Sequence, residues 1–102
     1  MKGFGDMLKQ AKKIQEEMEK IQGEMAAKKV EASSGGGMVT VEVNGNQEVL
    51  SIKIDPEVIN PDDKEMLEDL VLTAVNEAIR KSKDLMKEKI AEVTGGLTIP
   101  GM

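Results

Sequence analysis

The spacing of apolar positions changes along the chain and divides it into a helix, a group of strands and a second helix. In the first segment, apolar residues recur at alternating spacings of four and three, which is the heptad seam of a helix that packs on another helix. We predict that Asp6 caps this helix and that it runs to about Ala27. Its predicted packing and dimer seam consists of Met7, Ala11, Ile14, Met18, Ile21 and Met25.

The middle of the chain alternates between apolar and polar residues, which is typical of strands with one buried face. The pattern predicts strands at about 28–32, 39–43 and 50–54, with the glycine-rich segment 33–37 as a flexible connection. Asn44-Gly45-Asn46 predicts a hairpin turn, because Asn and Gly tolerate positive φ. The result is a three-stranded antiparallel meander with one apolar face.

Helical periodicity returns after Asp55-Pro56, which ends the sheet. Asn60-Pro61 and the acids that follow predict a helix start, and the helix should continue to about Thr94, before Gly95-Gly96. One or both helices can cover the apolar face of the sheet. Because both are longer than such a sheet, we expect them to project beyond it and pair with a partner chain. The predicted fold class is α+β, with the order α-β-β-β-α in a single domain over residues 1–102.

Composition narrows the class of protein. A chain of 102 residues has the size of one domain, and its lone aromatic residue, Phe4, leaves a small aliphatic core that favours burial against a second copy. The absence of cysteine excludes disulfides and fits a reducing cytosol. Neither a signal peptide nor a membrane-spanning stretch is apparent, so we expect a cytoplasmic protein.

Candidate chemistry is sparse. The sequence has no His and no Cys, which removes the usual nucleophile pairs, the commonest general base and most zinc sites. Asp62-Asp63 either ligates a divalent ion or simply favours a helix start. The glycines at 35–37 either cradle a phosphate or connect two strands, but the P-loop spacing is missing. We therefore expect no enzymatic activity, cofactor, metal or small-molecule substrate.

The charge distribution is more informative than the formal net charge of −5. Residues 1–29 carry +2, residues 30–60 carry −4 and residues 61–102 carry −3. At about 100° per residue, lysines on the first helix fall within about 40° of one another, opposite the seam, and a second basic stripe lies on the last helix. The candidate DNA-binding residues of the two stripes are Lys9, Lys13, Lys20, Arg80, Lys83 and Lys87.

Two interpretations of these stripes stay open. Basic helix faces suit phosphate contacts along a duplex. Alternatively, they are solubilising surfaces neutralised by neighbours such as Glu16 and Asp84. Without aromatic residues to stack on bases, single-strand recognition is not expected. Without a helix-turn-helix or zinc finger, sequence-specific readout is not expected either.

Taken over its whole length, the chain resembles the YbaB/EbfC family of bacterial nucleoid-associated proteins. The residues that carry the resemblance are Gly3-Phe4-Gly5-Asp6-Met7-Leu8-Lys9-Gln10-Ala11, Met18, Ile21-Gln22, the glycine segment before Met38-Val39-Thr40-Val41, Leu50-Ser51-Ile52-Lys53-Ile54-Asp55-Pro56, Leu67-Glu68-Asp69-Leu70-Val71, Ala74-Val75-Asn76, Ala78, Lys87 and Gly95-Gly96-Leu97.

The resemblance implies α-β-β-β-α units that form a homodimer through the sheet region, with helices projecting like the arms of a tweezer. It implies binding to double-stranded DNA, a change in DNA conformation, and a role in nucleoid organisation and gene regulation. An alternative from another class is a scaffold or adaptor, whose Met-rich helix and apolar tail bind a protein partner.

Overall fold

The computed structural model describes residues 2–93, with side chains from Gly3 onwards. The elements are α1 (Lys2–Ala26), β1 (Lys29–Ser34), β2 (Val39–Asn44), β3 (Val49–Ile54) and α2 (Lys64–Val93). Short 3₁₀ turns at Pro56–Val58 and Pro61–Asp63 connect β3 to α2. The predicted α+β class and element order are confirmed. The predicted helix stop at Gly95-Gly96 and the apolar tail 97–102 lie outside the described residues.

The sheet is an antiparallel meander in the order β1-β2-β3, as predicted, and α2 covers it over β1 and β2. The buried residues of α2 are small and recur every fourth position: Ala74, Ala78 and Ser82. All three are fully buried, so the helix axis approaches the sheet closely. The buried core cluster consists of Ala32, Val39, Val41, Val43, Ala74 and Ala78.

Two predicted boundaries are wrong. Helix α1 already begins at Lys2, so Asp6 lies inside the helix and does not cap it. Gly3 and Gly5 each weaken a helix by about 1 kcal/mol, but they retain the backbone N–H and do not stop it. Strand β1 extends to Ser34 rather than ending at Ala32, because Ser33 and Ser34 pair with β2.

The two hairpin turns use different backbone geometries. In the β1–β2 turn, φ is +61° at Gly35, +67° at Gly36 and +94° at Gly37, a left-handed conformation that favours glycine. In the β2–β3 turn, positive φ occurs at Gln47, not at the Asn-Gly pair as expected. There, the carboxamide oxygen of Asn44 instead accepts the backbone N–H groups of Asn46 and Glu48 at 2.9 and 3.1 Å. The predicted turn is confirmed, but hydrogen bonds to the Asn44 side chain stabilise it, and not positive φ at the Asn-Gly pair.

The β2–β3 turn holds the end of α1. The backbone N–H of Gly45 donates to the carbonyl oxygens of Met25 at 2.9 Å and Lys28 at 3.0 Å. The side-chain amide of Asn46 donates to the carbonyl of Gln22 at 2.9 Å. Met25 is 1% exposed and lies directly on Gly45. These contacts fix the position and direction from which α1 leaves the sheet.

The same turn is also fixed to α2. The hydroxyl of Ser82 donates to the carbonyl of Asn44 at 2.7 Å and accepts the backbone N–H of Gln47 at 3.1 Å. Because Ser82 is fully buried, losing its hydroxyl would leave two backbone groups without these partners. We call the β2–β3 turn and its contacts with the two helices the junction.

The junction predicts a specific sensitivity at Gly45. A Cβ there would lie 2.8 Å from Met25 Cβ and 2.9 Å from the Met25 carbonyl oxygen, and the backbone oxygen cannot move without α1. We expect Gly45→Ala to lower the free energy of urea unfolding by about 1–3 kcal/mol. Gly23→Ala is the control: nothing lies within 4 Å of its added Cβ, and it should stabilise α1 by about 1 kcal/mol. Unchanged stability in Gly45→Ala would contradict the tight junction.

Candidate nucleic-acid interface

Helices α1 and α2 run antiparallel beyond the junction and meet along a limited contact. Lys89 Nζ lies 2.8 Å from Glu24 Oε2, and further along, Val93 of α2 lines an apolar groove with Ile14 and Met18 of α1. From this groove, α1 extends a further eleven residues to its start at Lys2, past Val93, the last described residue of α2. We call residues 3–13 of α1 the arm; each is exposed to solvent. The molecule is accordingly elongated, with principal extents of 71 × 22 × 18 Å.

The arm is the basic part of α1. It carries three lysines and one acid, whereas residues 14–26 carry four glutamates and one lysine. Within the described chain, Lys9, Lys12 and Lys13 form no ion pair within 4 Å. Helical periodicity missed Lys12 because it lies off the Lys9–Lys13 stripe; local charge density along the sequence is the signal that finds it. The structure therefore presents three accessible cations on a projecting helix.

Lys20 has different surroundings, although it belongs to the same stripe. It lies among the glutamates of the acidic half of α1, one helical turn from Glu16 and Glu24. The pKa of Glu24 is lowered chiefly by the hydrogen bond from Lys89, and to a smaller extent by the charge of Lys20. Lys20 thus contributes to a mixed surface rather than to the basic arm.

The second stripe is divided by ion pairing. Arg80 donates from Nε to Glu77 Oε2 at 3.1 Å, a second guanidinium nitrogen contacts the same carboxylate, and Nη1 lies 3.5 Å from Asp84 Oδ2. This pairing raises the pKa of Arg80, chiefly through the Glu77 hydrogen bond. Lys83 and Lys87 are exposed and form no ion pair with any described residue. Of the stripe, these two lysines are available to an external anion.

The predicted seam of α1 has two environments. Its last residues are buried near the junction, with Ile21 3% and Met25 1% exposed. Towards the arm the seam opens: Met18 is 40%, Ile14 is 63% and Met7 is 67% exposed, and Ala11 is also exposed. Within the protomer, therefore, the described structure covers only one end of the seam.

A second uncovered apolar surface lies where α2 leaves β3 bare. Val49, Leu50 and Ile52 of β3 are each 45% exposed. Ile54 of the same strand lines a groove between β3 and α2, together with Leu67, Glu68, Val71, Leu72 and Val75. Contiguous exposed apolar surface of this kind marks an interaction site on a soluble protein. We call it the β3–α2 face.

The described residues offer little to catalytic or metal chemistry. No group of three or more acidic residues within them is arranged to hold a metal ion. The backbone N–H of Asp62 donates to the side chain of Asn60 at 3.0 Å in the 3₁₀ turn before α2, and the carboxylate of Asp63 accepts from the backbone N–H of Met66 at 3.3 Å in the first turn of α2. Neither helix, over the part of the chain described, is long and apolar enough to cross a membrane.

These features define an α-β-β-β-α protein with a projecting basic helical arm and an uncovered apolar face. A sequence model of the YbaB/EbfC DNA-binding family matches residues 1–97, and the chain belongs to this family. The family is defined by DNA binding rather than by an enzymatic reaction.

Relatives extend over nearly the whole chain. A nucleoid-associated protein of Thermodesulfovibrio yellowstonii is 57% identical over 99% of this chain and 89% of its own length. Another, from Syntrophobacter fumaroxidans, is 50% identical over 99% of this chain and 91% of its own. An uncharacterized protein from Helicobacter pylori shares the fold, with a TM-score of 0.68 and 24% identity over 78% of this chain and 93% of that one.

The Lys89–Glu24 pair predicts a pH-dependent contact between α1 and α2. The hydrogen bond from Lys89 holds the pKa of Glu24 below its ordinary value of 4.5. A carboxyl with a depressed folded-state pKa stabilises the fold above its unfolded pKa, and this stabilisation is lost as pH falls through the folded value. We expect Lys89→Met to speed amide exchange at the α1–α2 contact at pH 7, with the difference from the unsubstituted protein shrinking as the pH falls through the lowered pKa of Glu24.

Lys83→Met is the matched control. It removes the same charge as Lys89→Met, but Lys83 forms no ion pair among the described residues. If Lys83→Met and Lys89→Met behaved alike at neutral pH, the helix–helix ion pair would have no role in holding α1.

Proposed function

We propose that this protein binds double-stranded DNA as a homodimer, largely without sequence specificity, and helps to organise the nucleoid in the cytoplasm. The observation that carries the proposal is the basic arm of a member of a DNA-binding family: three lysines free of described ion pairs on a helix that projects from the body. The names of the relatives support the nucleoid as the site of action.

The attraction between this protein and DNA depends on the local charge of the arm and not on the net charge of the chain. A net charge of −5 repels a polyanion as a whole, but interactions between exposed charges are largely screened beyond about 8–10 Å at physiological salt. The arm places Lys9 and Lys12 past Val93, the last described residue of α2, and Lys13 beside it, away from the acidic sheet region. Phosphate contacts from such lysines carry no base information, so binding through them should be independent of sequence. A bound duplex held at two arms would be constrained in shape, which supports a change in DNA conformation and a role in gene regulation.

Dimerisation is supported by the β3–α2 face. Its aliphatic residues come from two elements and form one surface, whereas the opposite face of the sheet carries Thr40, Glu42 and Lys53. Burying apolar area stabilises association by about 25 cal/mol per Å² before the entropic cost of association is subtracted. A second copy offers the same surface, and a two-fold axis through it would pair the face with itself. The arms of the two protomers would then form a tweezer.

The dimer can be tested at Leu72, which lines the β3–α2 groove and is 59% exposed in the protomer. We expect Leu72→Asp to convert a micromolar dimer into a monomer in sedimentation experiments, because a carboxylate would be buried without a partner. Leu8→Asp, at an exposed arm position, should leave the dimer intact. A monomeric parent protein, or a dimeric Leu72→Asp, would contradict this interface.

The DNA interface can be tested with two triple variants of equal net charge. We expect Lys9→Ala/Lys12→Ala/Lys13→Ala to weaken binding to a random-sequence duplex by about tenfold or more at low salt, since several phosphate contacts are lost. The control, Lys28→Ala/Lys53→Ala/Lys64→Ala, removes three exposed lysines outside the arm. Equal losses in both would show that bulk charge, not the arm, controls affinity. In the same assay, the variant Lys83→Ala/Lys87→Ala shows how much the second stripe contributes to the affinity for DNA.

The adaptor alternative is favoured by one observation, the exposed seam towards the arm, including Met7 and Ile14. A mobility-shift assay with a random-sequence DNA duplex distinguishes the adaptor function from DNA binding. Absence of a shift, together with a stoichiometric protein partner that survives nuclease treatment, would favour the adaptor.

A further inference from the structure

The exposed part of the α1 seam adjoins the place where the tail of the chain begins. An apolar groove of about 220 Å³ lies between α1 and the end of α2, lined by Lys13, Ile14, Glu17, Met18, Ile21, Ile90 and Val93. It exceeds the roughly 150 Å³ of an apolar cavity that can hold benzene, so a large aliphatic side chain fits. Ile14 shares one face of α1 with the exposed seam residues Ala11 and Met7, and we call these three residues the arm face.

We propose that the tail, residues 94–102, docks along the arm face of its own chain, with Leu97 and Ile99 against α1. Because α2 runs antiparallel to α1 and Val93 lines the groove, α2 at its last described residue is directed along the arm face. Gly95-Gly96 ends helical periodicity and allows the chain to turn from helix to extended structure. The tail needs no reversal to reach its site.

The lengths of the two segments match. From Ile14 to Met7 the arm face rises about 10 Å at about 1.5 Å per residue. An extended chain rises about 3.3 Å per residue, so residues 95–99 reach along the whole arm face. With a linker this short, the local concentration of the tail at the groove is in the millimolar range, which favours it over a dissolved competitor.

The composition of the tail also supports it as the segment that covers the arm face. The tail carries no charged residue, although 32% of the whole chain is charged. Its apolar side chains would cover Met7 and Ile14, which are 67% and 63% exposed. The arm face lies opposite Lys9, whereas Lys13 borders the groove beside Ile14, so a docked tail leaves Lys9 open. The proposal does not rest on DNA binding.

Methyl NMR of the full chain tests this directly. We expect nuclear Overhauser effects from the Ile99 and Leu97 methyls to the methyls of Ile14 and Met7. A sample mixed from labelled and unlabelled protomers distinguishes contacts within a protomer from those between protomers. Effects seen only between protomers would assign the arm face to a second copy and overturn the proposal, as would the absence of any effect to α1.

A variant pair supplies an independent readout. Leu97→Asn/Ile99→Asn should speed amide exchange at residues 7–14 by about tenfold or more, because the arm loses its apolar cover. Thr98→Asn is the control, since in an extended segment alternate side chains point to opposite sides, and it should leave exchange unchanged. Equal exchange in the double variant and the parent protein would refute docking.

Discussion

The position of α1 depends on one small contact, the close approach of Gly45 to Met25. A hairpin turn with no Cβ at that position lets the backbone of α1 hydrogen-bond to it, and Ser82 fixes the same turn to α2 from inside the core. Three elements distant in sequence therefore meet at a few buried polar and apolar atoms. Because α1 has little other support in the described structure, this junction sets the direction in which its free half projects.

That projection separates charges that would otherwise cancel. The acidic residues of α1 are concentrated in its half nearer the sheet, while Lys13 lies beside Val93, the last described residue of α2, and Lys9 and Lys12 lie past it. A protein with an acidic total can thereby present a basic surface, as long as the helix is held away from its own body. The uncovered β3–α2 face complements this arrangement, since pairing there would bring two such arms into one particle.

Much of the fold could be predicted from periodicity alone: the element order, the meander and the apolar face of α2. Other features depend on tertiary contacts or on side-chain rotamers. Ser82 interrupts the apolar face of α2 in the sequence, and only the structure places it beside Asn44. For Arg80, the spacing indicates Asp84 as a neutralising neighbour, and the rotamers bring Glu77 onto the guanidinium as well. Periodicity revealed the α1 seam, but not that it is buried at one end and exposed at the other.

We propose that lysines on the projecting arms attract duplex DNA despite the acidic body, and a salt titration tests this attraction most directly. The affinity of the native protein for a random-sequence duplex would be measured over a series of salt concentrations. We expect log K to fall linearly with log salt, with a slope of about −0.9 for each phosphate neutralised and several phosphates in total. Affinity that does not change with salt, or no binding in dilute buffer, would contradict the account.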